Sequence, residues 1–272
     1  MTTISIIGLG WLGLPLAKFL QQKGFSIKGS TRNLNKKEQL DRQGIVADQL
    51  SLNPDLEGTF PSRLFETDLL FINIPPARRT KSDDFHPQQI QYLKQVIREF
   101  GIGKVVYVSA TSVYPSQNQI ARETDPLTAE TTGNPALWHA ERLLWEEKTY
   151  DLSVIRFGGL LGDDRVPGRY FSGKQEVPGH PPVNYIHRKD AVQAIYWLID
   201  QHLWNETFNI VSPEHPAKKV LFEKNAAELG FPPPASYESP PAQKWKEISS
   251  EKWQQTGFQF EYPNPLDFSY FG

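Results

Sequence analysis

Apolar residues recur along the chain in two rhythms, and the alternation between them predicts its elements. Ile4, Ile6 and Ile7 crowd a short opening strand, and Leu12, Leu16, Phe19 and Leu20 follow at helical spacing to a stop near Lys23-Gly24. Phe25 to Ser30 alternates apolar and polar as a second strand, followed by Thr31-Arg32-Asn33 and a polar helix from about Lys36. Gly44 to Asp48 reads as a short third strand. Asp68 to Ile74 is a continuous apolar run, the pattern of a parallel strand covered on both faces, and Pro75-Pro76 stops it. Ile90, Leu93, Ile97 and Phe100 mark one face of a helix ending at Gly101. Lys104 to Pro115 is the next strand and its loop. Asn134 and Pro135 form an N-cap and first-turn pair for a helix through Leu137, Ala140, Glu141 and Leu144. Leu152 to Phe157 is a sixth strand. Strands that alternate with helices in this way predict an α/β fold, a doubly wound parallel sheet of the Rossmann type.

Beyond Phe157 the alternation breaks. Gly158-Gly159-Leu160-Leu161-Gly162 leads into a Gly/Pro-rich segment carrying Arg165, Arg169 and Lys174 and ending at Pro181-Pro182. A helix from about Lys189 to His202 and a strand at Thr207 to Val211 return to the sheet. The tail has five prolines between Phe231 and Pro241, with aromatics at Trp245, Trp253, Phe258, Phe260 and Tyr262. The expected organisation is a Rossmann domain over residues 1–157, with 184–211 returning to it, and a smaller lobe from 158–183 and 212–272 that holds the substrate. No internal repeat is visible.

Composition narrows the partners. At 272 residues the chain can bury a sizeable core. Its 29 basic and 31 acidic residues nearly cancel, so no electrostatic footprint for nucleic acid or an anionic membrane is present, and a small-molecule partner is expected. The absence of cysteine excludes disulfides, thiolate metal sites and a cysteine nucleophile. The first residues enter a strand at once, without a basic stretch, apolar core and cleavage site, and no apolar run approaches the ~20 residues of a membrane span. A cytoplasmic protein is expected.

Between the first strand and helix stands Gly8-x-Gly10-x-x-Gly13. The first glycine permits a tight turn, the second lets backbone approach a pyrophosphate, and the third lets helix and strand pack closely, with the helix N-terminus facing the anion. A dinucleotide is expected here, touching Gly8, Gly10, Trp11, Leu12 and Gly13. The end of the second strand chooses between cofactors: a carboxylate holds the ribose 2′-OH of NAD, whereas an arginine accommodates the 2′-phosphate of NADP. The position carries Ser30, Thr31 and Arg32, which favours NADP while leaving NAD possible. Strand ends at the ligand edge add Ile74, Pro75, Pro76, Ser109 and Phe157 as cofactor contacts. The loop Arg78-Arg79-Thr80-Lys81 either holds a substrate phosphate or is a solvated basic turn.

Taken in order, these pieces resemble the short-chain dehydrogenase/reductase superfamily, specifically the extended or atypical branch related to NAD-dependent epimerase/dehydratases. The carriers are the glycine turn, Asp48 after the third strand, Ser109-Ala110-Thr111-Ser112-Val113-Tyr114, Glu141 in the following helix, Val183-Asn184-Tyr185-Ile186-His187-x-x-Asp190-Ala191, Phe208-Asn209-Ile210-Val211, and Gly257-Phe258-x-Phe260-x-Tyr262-Pro263. The likeness spans nearly the whole chain. The first turn departs from the G-x-x-G-x-x-G usual in the extended branch and points to the atypical one. The resemblance implies Asp48 as a further cofactor contact. It also implies a catalytic hydroxyl three residues before Val113 and a Tyr-x-x-x-Lys pair on the next helix. Here the hydroxyl position is Ala110. With Glu141 aligned to the acidic residue four positions after that lysine, Leu137 stands for the lysine and Gly133 for the tyrosine.

The usual catalytic set is therefore missing. The pair Tyr185 and Lys189 has the right spacing but falls after the substrate loop, so it is expected to be structural. Thr111, Tyr114, His139 and His187 are the remaining polar candidates, with Thr111, Tyr114 and His187 the replacements considered for catalysis; no metal site is expected. Two functions stay open: an oxidoreductase-like or epimerase-like enzyme acting on a nucleotide sugar or related hydroxy/keto compound, and a non-catalytic NADP(H) sensor or regulatory protein. The opening also resembles nucleotide-sugar 6-dehydrogenases, whose covalent thioester needs the cysteine this chain lacks. β-Hydroxyacid dehydrogenases share it too, but their all-helical second domain does not suit the proline-rich tail.

Overall fold

The computed structural model describes residues 1–76, 81–239 and 244–271. Strands and helices alternate as β1 (Thr3–Ile7), α1 (Gly13–Gln22), β2 (Ser26–Thr31), α2 (Leu34–Arg42), β3 (Val46–Gln49), β4 (Leu69–Ile72), α3 (Phe85–Phe100), β5 (Lys104–Ala110), α4 (Pro135–Trp145), β6 (Asp151–Phe157), α5 (Arg188–Asp200), β7 (Glu206–Ile210) and α6 (Lys218–Leu229). The sheet order is β7-β6-β5-β4-β1-β2-β3. β1 pairs in parallel with both β2 and β4, β2 with β3, and β4 with β5. The order reverses at β1, between β2 and β4. In an open α/β sheet such a reversal leaves a crevice outside the carboxyl ends of the strands, where ligands bind. The predicted doubly wound sheet is observed.

Local sequence explains most boundaries. Asn134 caps α4, its Oδ1 accepting from the Leu137 N–H at 3.3 Å, with Pro135 in the first turn where a missing N–H costs nothing. Gly101 ends α3 in the left-handed conformation, φ 63°. The Lys94 ammonium on α3 donates to the Leu143 and Glu146 carbonyls, 2.6 Å each, and so satisfies the end of α4. α2 starts at Leu34 rather than near Lys36, because Asn33 is its cap and accepts from the Lys36 N–H.

Contacts divide the chain into two compact units: Met1–Ser109, Thr128–Ile155 and Ile195–Thr207 form the first, and Ala110–Leu127, Arg156–Ala194 and Phe208–Gly272 the second. This differs from a boundary at Phe157. Ala110–Leu127 goes with the second unit because Gln119–Ala121 pairs in parallel with Lys246–Ile248, a partner far along the chain. Gly159–Leu161, to which the sequence pattern assigns no element, is a short strand parallel to Tyr185–His187. Among the described residues no helix is long and apolar enough to cross a membrane.

Candidate functional site

In the first unit the glycine turn is built as its sequence predicts. Gly8 has φ +106°, a region L side chains rarely adopt, and a Cβ there would lie 2.5 Å from the Asn73 carbonyl oxygen. A Cβ on Gly13 would come within 2.1 Å of the Gly8 carbonyl oxygen, so helix and turn touch backbone to backbone. A Cβ on Gly10 would meet nothing within 4 Å. Gly10 is thus required by neither conformation nor packing, and the space over it is open for a ligand.

Two neighbours fix the turn. Ser30 Oγ accepts from the Gly8 N–H at 3.1 Å and the Ser30 carbonyl accepts from the Leu9 N–H at 2.7 Å. On the other side Asn73 Nδ2 donates to the Gly8 carbonyl at 3.2 Å. Asn73 sits just past β4, and its role was not read from the sequence; a lone amide closing an apolar run was the available signal.

The turn opens onto a cavity of about 930 Å³. Of the expected cofactor contacts, Gly8, Gly10, Ser30, Thr31, Arg32, Ile74 and Pro75 line it. Arg32 is exposed, and its guanidinium makes no ion pair among the described residues. Lys36, Lys81 and Glu57 also line the cavity, giving with Arg32 three cations against one carboxylate. Glu57 is already engaged, accepting from Ser51 and Asn53. The walls suit an anionic ligand, and in volume, open backbone at Gly10 and charge the residues present fit a dinucleotide phosphate chain. Of the basic loop, Arg78, Arg79 and Thr80 lie outside the described residues; Lys81 donates to Asn53 Oδ1 at 3.0 Å.

The other expected contacts do not line this cavity. Leu12 points into the core, 3% exposed, and Gly13 is packed under Gly8. Trp11 and Pro76 are also outside the lining. Asp48 faces Arg63, whose guanidinium it holds at 2.8 Å. Ser109 donates to Glu141 Oε1 at 2.5 Å, both side chains buried. Phe157 is a buried residue of the second unit.

The Ser109–Glu141 bond has a further consequence. It pins the register of α4 against β5, and Leu137, one turn before Glu141, is buried on the same helix. Gly133 precedes the helix and His139 is exposed. The position that the resemblance gives to the lysine is an apolar core residue.

The remaining candidates lie in the second unit. Tyr114, 1% exposed, donates its phenol proton to Asn209 Oδ1 at 2.9 Å and accepts from Arg156 Nη1 at 2.7 Å. Burial pushes its pKa up to about 12. His187 is committed as well. Nε2 stands 3.1 Å from the Ser269 carbonyl, which can only accept, so Nε2 carries the proton and Nδ1 accepts from the Lys189 N–H. Its ring lies against Tyr262 and Phe268, and burial lowers its pKa. Lys189 is held by Glu261 at 2.5 Å, and Tyr185, in a strand, has its phenol pushed up to about 12 by burial. Thr111 differs: its hydroxyl has no hydrogen-bond partner among the described residues.

No protein-family model matches the chain. Protein YeeZ of Escherichia coli K12 is 32% identical over 269 residues, covering 98% of each chain. Among solved structures, UDP-N-acetylglucosamine 4-epimerase from Bacillus cereus superposes with TM-score 0.77 at 16% identity, covering 98% of this chain and 97% of that one. MoeE5, solved with UDP-glucose and NAD, gives 0.78 at 16% identity over 98% and 96%. The chain belongs to the family of Protein YeeZ. With YeeZ it shares one family along nearly its whole length, and with the two solved structures it shares the fold.

Proposed function

We propose that the chain binds NADP(H) in the cavity of its first unit and is an oxidoreductase-like or epimerase-like enzyme acting on a nucleotide sugar or related hydroxy/keto compound. The observation that carries the cofactor is Gly10, a glycine that neither strain nor packing requires, opening onto a cavity with an excess of cations. The bound group would supply hydride chemistry. The chain's own residues bind and orient it: the Gly8–Gly13 backbone takes the diphosphate, and Arg32 with Lys36 takes the 2′-phosphate. The substrate class is supported by likeness to proteins solved with, or named for, nucleotide sugars. Thr111 is the residue available to hydrogen-bond a substrate oxygen in place of Ala110.

The experiment is calorimetric titration of NADPH and NADH. NADPH should bind more tightly, and Arg32→Ala should weaken NADPH by about 1.5–3 kcal/mol, the value of a charge-assisted contact, while leaving NADH unchanged. Equal affinities, or equal losses for both cofactors, overturn the assignment.

A second function, a non-catalytic NADP(H) sensor, is favoured by a specific observation: Tyr114 and His187 are hydrogen-bonded on every side chemistry would use, and Leu137 is core.

A further inference from the structure

Among the described residues, Glu57 is the one carboxylate lining the cavity of the first unit, and it stands on a small hairpin outside the main sheet. Ser51–Leu52 pairs antiparallel with Leu56–Glu57, with Ser51 opposite Glu57. The hairpin leaves the end of β3 beside Arg32. Thr31, the last residue of β2, pairs with Gln49; its carbonyl accepts from the Leu50 N–H at 3.1 Å, and the Arg32 carbonyl accepts from Gln49 Nε2 at 3.4 Å. Ser51 is the next residue, and its hydroxyl donates to Glu57 Oε2 at 2.9 Å. Register and this bond bring the carboxylate to the stretch of wall that carries Arg32, Asn33 and Lys36.

The carboxylate is fixed there, and charged. Asn53 Nδ2 donates to Glu57 Oε1 at 2.8 Å, and Asn53 Oδ1 accepts from the Lys81 ammonium at 3.0 Å, so the amide has one orientation. The bonds from Asn53 and then Ser51 lower the Glu57 pKa. Each carboxylate oxygen, with one donor on it, keeps a lone pair for another. Glu57, Arg32 and Lys36 make no ion pair among the described residues, so free charges of both signs share one wall. A ribose 2′ position tells them apart: a hydroxyl there donates to a carboxylate, whereas a phosphate is drawn by cations and repelled by a carboxylate. At the end of β2, where a carboxylate would serve NAD, the sequence has Ser30-Thr31-Arg32.

We propose that Glu57 supplies from the hairpin the carboxylate that the end of β2 lacks, accepting from the ribose 2′-hydroxyl of NAD(H) and opposing the 2′-phosphate of NADP(H). Glu57 is thus a specificity-determining residue. Asn53, itself oriented by Lys81, is its positioning residue. The inference rests on the cofactor function proposed above and deepens it: the cavity takes both cofactors, Arg32 and Lys36 favour NADP(H), and Glu57 sets how far.

The test is calorimetric titration of NADPH and NADH into the whole protein and into Glu57→Gln. The side chain is exposed, and glutamine keeps both hairpin bonds, its oxygen accepting from Asn53 and its amide donating to the Ser51 hydroxyl. In the variant NADPH should bind more tightly and NADH more weakly, each by about threefold, so that the ratio of their dissociation constants moves by about tenfold. The NADPH gain should shrink at about 1 M salt, where a charge is screened beyond about 3 Å, whereas a rearranged hairpin would not respond to salt. An unmoved ratio, an equal change for both cofactors, weaker NADPH binding, or a gain that salt leaves intact overturns the proposal. The two failures are distinct. A wild type that binds neither cofactor sinks the cofactor assignment and this inference with it; a wild type that binds, with a variant that does not shift the ratio, sinks this inference alone.

Discussion

His86 shows how far one buried side chain can be reasoned out. It is 1% exposed on α3, with Nδ1 3.2 Å from Gln89 Oε1 and Nε2 2.7 Å from the Tyr107 hydroxyl. Gln89 Nε2 donates to the Leu52 carbonyl at 2.8 Å, which fixes the amide and leaves Oε1 facing the ring as an acceptor. Nδ1 therefore carries the proton, and Tyr107 donates to Nε2. The imidazole is neutral, and burial lowers its pKa to about 4. The unfolded chain takes up this proton near 6.5, so acid favours unfolding: the contribution is fully present above 6.5 and falls progressively between 6.5 and 4, by up to about 3 kcal/mol. Leu52 and Gln89 line the cavity, so the same chain braces its wall. His86→Leu should be less stable than wild type at pH 7, having orphaned Tyr107, and the gap should narrow as pH falls to 4.5. Urea unfolding of both proteins across that range measures the gap, and a constant one refutes the assignment. Other titrating groups cancel in the difference.

At the scale of elements, the three glycines of the first turn separate folding from binding. Gly13→Ala drives a Cβ into the Gly8 carbonyl, backbone against backbone, where no side chain can swing away. It should lower the melting temperature. Gly10→Ala meets no atom, so its melting temperature should stay near wild type while NADPH affinity collapses, because the methyl occupies the space of the ligand. Thermal melts with calorimetry check both, and retained affinity in Gly10→Ala contradicts the cofactor site. This turn was legible because its requirements are local and only glycine meets them. β1 and β4 were legible for a similar reason, each being a largely apolar buried run, and β2 by its alternation of apolar and polar positions. α6 was not. It turns Leu221, Phe222, Asn225 and Ala226 inward and leaves Val220 49% exposed, so its apolar periodicity is faint. The buried Asn225 is there because its Oδ1 accepts from the Gly168 N–H, a contact 57 residues away. The strand Gly159–Leu161 was hidden likewise, since its partner at Tyr185–His187 is remote in sequence. In the candidate site, Arg32 and the glycines could be read from spacing, whereas Asn73 and Lys36 owe their places to tertiary contacts.

For the whole molecule, an intact glycine turn coexists with a site emptied of the catalytic groups that the resemblance implies. Ala110 offers no hydroxyl, Gly133 no phenol, and Leu137 is held in the core by the same α4 register that lets Ser109 bond Glu141. Tyr114 cannot substitute for the phenol without breaking its bonds to Asn209 and Arg156, nor His187 without releasing Ser269. General acid/base groups contribute roughly 10²- to 10⁴-fold each, and groups that act as a unit do not simply add. Hydride transfer by the route the resemblance implies should therefore be depressed by several orders of magnitude even where the proposed cofactor binds. Purified protein with NADPH or NADP and a panel of nucleotide sugars, sugar ketones and aldehydes should show reduced-nicotinamide absorbance changing far more slowly than a typical enzyme's ~10 per second. Turnover near that rate contradicts the emptied site. Thr111→Val then identifies the replacement: if Thr111 supplies the missing hydroxyl, kcat falls while NADPH affinity holds. Tight NADPH binding with no turnover on any member of the panel favours the sensor instead.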